Sequence, residues 1–472
     1  MSSRLERTAP TSAPGLLDSA HRRLTIGIAL GISVVGFETL GISTAMPAAA
    51  RELDGLSLYG WAFTALLLGN LLGIVFASGD ADEHGPHRAY VAAFTAFVGG
   101  LVLGTVAGTM PLLVLSRFIA GLGAGALALL NWTLIGRVYP ESIRSKMLAV
   151  ASSAWVVPGL VGPALSGWVA DSFTWRWVFA APLCPTVLVA VLVLPAAHQL
   201  RRSGSETQAP TGQRFWDASR RDKGISAIVI TAGAAVTLSG LESSRWPVLS
   251  GGVSVGLILV LIGGRTLFPP GTWHAADGLP AVVATYALLF GAFVGVESFL
   301  PLALSDLRQM SSTWAGIILT CGTTSWAVGS WLQAHNPPRW AEPTWRMGAT
   351  VVFGGGILGM ISLTVDTIPT TVGYVAWTLS ALGMGLSFSS VTEATFRMVG
   401  EHRVGLASGA TQLAGTLFAA LSTGVVGATL DAQHSSAAGF RTGFALCAAL
   451  TVLALFAGRA VPPMQREPRI NN

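Results

Sequence analysis

Glu38 is the first residue in this chain whose chemistry does not fit its surroundings. It stands in SVVGFETLGISTAMP (33–47), in the middle of an apolar stretch. A carboxylate at the centre of a membrane-spanning helix costs about 2.5–3.5 kcal/mol even on forgiving insertion scales, so such a residue is a functional-site candidate by default. At 1.5 Å per residue, Glu38 lies roughly 13 Å from Pro47 at the outer end of its helix, and Arg117 lies roughly 10 Å below the start of the fourth helix. Their depths match. A buried arginine stays charged, whereas a carboxyl can take a proton and become neutral. Glu38 is therefore expected to carry a proton, with Arg117 nearby keeping its affinity low enough for release; a static buried salt bridge is the bland alternative.

Glu297, in FVGVES, is the other acid at depth. It is read as a second proton site or as the group that meets a cationic substrate. Trp377 occupies the position that corresponds to Arg117, and a carboxyl beside an aromatic suits an organic cation through charge and cation–π attraction. Asn131, Trp132 and Trp155 are candidates for lining a substrate cavity, although tryptophans also anchor helices at membrane interfaces. In PGLVGPALSG (158–167), Pro158, Gly162, Pro163 and Gly167 make a thin, kinked helix suited to rocking against a neighbour, because proline removes a backbone hydrogen bond and glycine lets backbones approach. GLGAG (121–125) reads as helix packing. Glu393 and Arg397, four residues apart, read as a solvated ion pair, and Met384 and the scattered phenylalanines as packing.

These residues need helices to hold them. Of 472 residues, 51% are hydrophobic and only 11% are charged, against roughly 25% charged in a soluble domain. The apolar runs are about 20 residues long, the length that crosses a bilayer core. An all-α polytopic membrane protein follows. Spans are expected at 24–46, 57–78, 89–107, 110–137, 147–170 and 177–198, then 224–241 and 247–266, then 279–304, 312–333, 347–365, 369–396, 404–430 and 440–460. That is about fourteen, in two six-helix bundles (24–198 and 279–460) with two helices inserted between them (224–266). The polar, basic stretch 199–223 reads as a linker, and 1–23 and 461–472 as tails. The halves echo each other at a nearly constant spacing of about 260 residues: Glu38 with Glu297, Arg137 with Arg397, Glu141 with Glu401, Asp171 with Asp431. Internal repeats of this kind are common in secondary transporters. Roughly 22 Lys/Arg fall on the side of the termini against about 5 opposite, which predicts cytoplasmic termini in a multi-pass protein of the cell membrane.

The net charge of +5 is scattered over loops, so it does not suggest nucleic acid. The three cysteines lie in apolar runs without CxxC spacing, GxxxxGK[ST] and HExxH signatures are absent from the sequence, and no GxSxG follows a strand. Enzyme chemistry, a metal and a bound cofactor are therefore not expected, and gradient-driven transport remains.

Four motifs carry a resemblance to the major facilitator superfamily, specifically its fourteen-helix drug:proton antiporter branch, over nearly all of 24–460. E38TLGISTAMP47 resembles the first-helix signature, and R117FIAGLGAG125 resembles the fourth-helix motif. S78GDADEHGPHR88 resembles the loop between helices two and three, with Asp82 and Gly85 at the family spacing. P158GLVGPALSG167 resembles the fifth-helix antiporter motif. Two departures stand out: Glu83 follows Asp82 where the family carries arginine, leaving His87 and Arg88 to supply positive charge, and the first-helix acid is glutamate, not the more usual aspartate. The resemblance implies gating roles for Asp82, Gly85 and Arg88 and points to export over uptake. The resulting expectation is proton-coupled efflux of amphipathic or cationic small molecules by alternating access, by a monomer driven by the proton gradient. Export of a lipid or endogenous metabolite, proton-coupled uptake and a non-transporting sensor are the competing readings.

Overall fold

A computed structural model describes residues 15–18, 21–202, 220–243, 245–335, 342–398, 404–433 and 436–462, and among them there is no strand. The first six-helix unit comprises α1 (Arg22–Glu52), α2 (Tyr59–His84), α3 (Pro86–Thr105), α4 (Met110–Val138), α5 (Glu141–Ser153) continued by α6 (Val156–Ser172), and the short α7 (Arg176–Ala180) leading into α8 (Leu183–Arg202). A hairpin of α9 (Arg220–Leu241) and α10 (Trp246–Leu267) follows. The second unit comprises α11 (Leu279–Glu297) continued by α12 (Leu300–Arg308), then α13 (Ser312–His335), α14 (Glu342–Gly359), α15 (Thr370–Met398), α16 (Val404–Ala432) and α17 (Ala437–Arg459). Helices are what hydrocarbon permits, since each backbone N–H and C=O must be satisfied within its own segment.

Among the described residues, thirteen stretches are long and apolar enough to cross a membrane. The exception is α13, whose 24 residues include four threonines and three serines. Its length is sufficient, and several of its hydroxyls are absorbed locally: Thr323 and Thr324 donate to carbonyls one turn back at 3.0 and 2.7 Å, and Ser325 donates to the Thr378 carbonyl at 2.7 Å, while the Thr320 hydroxyl is buried without a partner among the described residues. Packed between α6 and α15, α13 lies at the expected span 312–333 but is not among the thirteen, against about fourteen expected.

Three spans expected to be continuous are broken, 147–170, 177–198 (between α7 and α8) and 279–304, and proline explains the first and the last. Pro158 has no N–H for the carbonyl of Ala154, four residues earlier, and α5 ends there. Ser33 on α1 donates its hydroxyl to that freed carbonyl at 2.8 Å. Pro301 likewise frees the carbonyl of Glu297, and α11 stops at that residue.

The repeat is visible in the packing. In the first unit α4 lies against α2 and α3, and in the second α15 lies against α13 and α14. Gly121 and Gly125 face the α2 backbone, which is the packing role expected of GLGAG. The two units meet along two seams, α6 with α13 and α2 with α16, and α9 rests on both α2 and α16.

Candidate functional site

Helix α1 carries Glu38 into the interior of the first unit and α4 brings Arg117 to it, across 79 residues of sequence. The Arg117 Nη1 donates to Glu38 Oε1, and the two side chains are 0% and 1% exposed. Thr39 Oγ1 lies 3.4 Å from the other carboxylate oxygen. Arg117 Nε donates to the Ala62 carbonyl of α2 at 3.4 Å, and the guanidinium lies 6.0 Å from the Phe179 ring. Its Nη2 is buried with no hydrogen-bond partner among the described residues. An acid that can bind a proton thus faces a cation that cannot lose one, out of contact with bulk water, in an under-bonded arrangement.

Glu297 sits at the α11–α12 break, half-buried, and no hydrogen bond or ion pair reaches it among the described residues. Trp377 does not line an open space beside it. The indole is 0% exposed, stacks on Phe293 at 4.9 Å and leaves its Nε1 without a partner among the described residues. Large, flat and apolar, it fills the interior of the second unit where Arg117 fills the first. An aromatic cluster lies along α11 instead. Tyr286, Phe290 and Phe293 precede Glu297 on α11, and Trp326 and Phe388 complete the group, with Phe293–Trp326 at 4.8 Å and Tyr286–Phe388 at 4.4 Å. The signal was present in the sequence, since residues 286, 290, 293 and 297 recur at the spacing of one helical face.

Asn131 is 6% exposed and accepts a hydrogen bond from Tyr90 at 3.0 Å, so it faces inward within the first unit. Trp132 and Trp155 are 44% exposed each, and Trp155 stands at the α5–α6 break against Gly36 of α1.

Gly85 joins α2 to α3 at φ 79° and ψ 163°, a region essentially restricted to glycine. The charges expected around Asp82 gather one turn-half earlier: Arg88 Nε is 3.5 Å and His84 Nδ1 is 3.1 Å from Asp80. His87 instead meets the ring of His198 at 4.9 Å. The Asp82 side chain lies outside the described residues.

Helix α6 is wedged between the units. Pro158 and Gly162 abut Gly36 and Phe37 of α1, and Thr44 donates to the Pro163 carbonyl at 3.2 Å. On its other side a methyl group on Gly167 would overlap the Ser312 carbonyl of α13, and one on Gly316 would overlap the Pro163 carbonyl. The sequence did not reveal what closes this seam. Asp171 caps the first turn of α13, accepting from the Ser312 and Thr313 amides at 3.0 and 2.8 Å and from the Thr313 hydroxyl at 2.6 Å. Nearby, Arg51 of α1 donates to Ser305 at 2.7 Å and pairs with Asp306, both on α12. These contacts lie at the end remote from Arg22 and Arg459, here called the far end.

Comparison with known proteins agrees with this architecture. A multidrug transporter protein of Bacillus subtilis, MdtP, is 24% identical over 89% of this chain and 77% of its own length. A Mycobacterium tuberculosis protein named as a probable multidrug-efflux transporter is 24% identical over 98% of this chain and 100% of its own. The crystal structure of the POT family transporter PepTSo superposes with a TM-score of 0.68 at 12% identity, covering 93% of this chain and 97% of that one. The sequence model described as Major Facilitator Superfamily matches residues 28–423. This chain is a multi-pass membrane transporter, not an enzyme, and it belongs to the Major Facilitator Superfamily.

Proposed function

We propose that this transporter exports amphipathic or cationic small molecules in exchange for protons. It would act as a monomer in the cell membrane, with both termini cytoplasmic and the far end outside. The observation that carries the reading is the Glu38–Arg117 pair, sealed inside the first unit. A proton arriving at Glu38 cancels the charge that holds Arg117, and the guanidinium must then find other acceptors, which couples protonation to a shift of α4 against α1. Entry of each proton supplies about 2.3 kcal/mol per 100 mV, besides the pH gradient. Glu297 and the aromatic face of α11 offer a carboxylate and π-faces to a cation in the second unit. Export as the direction is supported by the relatives named as multidrug transporters.

The test is transport of a cationic dye in proteoliposomes with an imposed pH gradient. Glu38→Gln is expected to lose the response to the gradient while retaining exchange of dye for dye. A Glu38→Gln protein that still follows the gradient would refute proton carriage by this residue.

A further inference from the structure

The inserted hairpin creates a groove that neither six-helix unit contains alone. Helix α9 meets α2 and leaves, between itself, α2 and α4, an apolar channel of about 430 Å³. Its walls include Ala65 and Leu68 of α2, Val114 and Phe118 of α4, and Ala232 and Ala235 of α9. It runs from Trp61 and Pro111 at the far end to Leu72 and Ile228. Eleven residues of α2 make that about 16 Å, close to half the hydrocarbon thickness. Leu115 and Ile228 are 48% and 51% exposed, so the groove opens sideways to lipid in the far leaflet.

Its two ends are not alike. At the mouth stand Trp61 of α2, Glu242 in the turn between α9 and α10, and Asp431 at the end of α16, a helix that packs on both α2 and α9. Burial pushes the Glu242 carboxyl up, the nearby Trp61 indole opposes this, and the negative charge of Asp431 adds to the rise. Against these two acids the turn offers one base, the exposed Arg245. Deeper in, Thr231 is among the lining residues, with its hydroxyl just beneath the wall, buried and with no hydrogen-bond partner among the described residues. A site with an apolar trough one leaflet long, an internal polar point and an acidic, indole-bearing mouth matches an amphiphile with a long tail and a positive head.

We propose that this groove binds a single-tailed amphipathic cation, with the tail between α2, α4 and α9 in the far leaflet and the ammonium group against Glu242 and Asp431. The inserted helices thereby acquire a function: they give cargo a seat in the membrane outside the seam of the two units. The proposal rests on the export reading only for the class of cargo.

Binding is measured without any gradient, on the whole protein in zwitterionic nanodiscs. The probe is a long-chain alkyltrimethylammonium ion with a brominated tail, which quenches indole fluorescence; the Trp61 signal is taken as wild type minus Trp61→Phe. Saturable quenching is expected for the ammonium, weaker quenching for the alkanol and alkyl sulfate with the same tail. Glu242→Gln should weaken the ammonium by roughly fivefold, the upper range for a partly exposed ion pair, and leave the alkanol unchanged. Ala235→Phe, which fills the trough, should abolish both. Equal quenching by all three head groups, quenching that rises without saturation, or an unaffected Glu242→Gln would overturn the site. Gradient-independent dye transport with an intact Trp61 response would sink the export reading and leave the groove standing; the opposite pattern would sink the groove alone.

Discussion

Arg117 uses few of its five N–H donors, and its one strong partner is a group able to discharge itself. That makes the pair's stability asymmetric. Removing one member of a buried pair costs about 3–5 kcal/mol, because an uncompensated charge remains, whereas replacing both by apolar or neutral groups of similar volume is often neutral. Arg117→Ala is therefore expected to lower the unfolding temperature in detergent markedly, and Glu38→Gln/Arg117→Met to recover most of the loss. An Arg117→Ala protein as stable as wild type would mean that Glu38 had already taken up a proton. At the same scale, the residue types alone marked Glu38 and Arg117, since a charge in a hydrocarbon run stands out against its neighbours. They could not show that Trp377 turns into the protein interior, because apolar surroundings look the same in sequence whether they are core, cavity or lipid.

At the scale of elements, α6 is the piece on which relative motion of the two units depends. Its prolines break the span and its glycines let the α13 backbone come within van der Waals contact, while Ser33 compensates the carbonyl that Pro158 leaves open. Close approach of this kind tolerates no added atom. Gly167→Ala is expected to insert and fold but to cut dye transport severalfold at equal expression, with Gly162→Ala, which has more room beside Phe37, milder. Wild-type transport by Gly167→Ala would mean that the α6–α13 seam yields freely. The breaks at Ala154–Trp155 and after Glu297 were legible in principle from Pro158 and Pro301. The span expectation passed over them because hydropathy averages over a whole window and is insensitive to one missing N–H.

For the whole molecule, the far-end contacts define which side is shut. Arg51 with Ser305 and Asp306, and Asp171 on the α13 amides, join the first unit to the second and must part if the far end is to open. A helix cap is worth about 0.5–2 kcal/mol, enough to change a two-state population severalfold. With Cys184, Cys321 and Cys447 replaced, a cysteine at the fully buried Thr44 reports that opening. Asp171→Ala, alone or with Arg51→Ala, is expected to speed its reaction with a polar thiol reagent applied from the far side. An unchanged rate would show that these contacts do not hold the two units together.

The sequence by itself determined the membrane class, the helical fold, the repeat and nearly every span. The reason is that the bilayer acts on each stretch separately: length, apolarity and internal hydrogen bonding are local properties, and even the hydroxyl-rich α13 was legible as the span 312–333 from its length and flanking breaks. Tertiary structure alone decided the junction of Asp171 with α13, the gathering of His84 and Arg88 on Asp80, and the groove of α2, α4 and α9. Those depend on which helices become neighbours and how they rotate about their axes, and in a medium as apolar as the side chains that choice is set by close packing and a few polar contacts between distant residues.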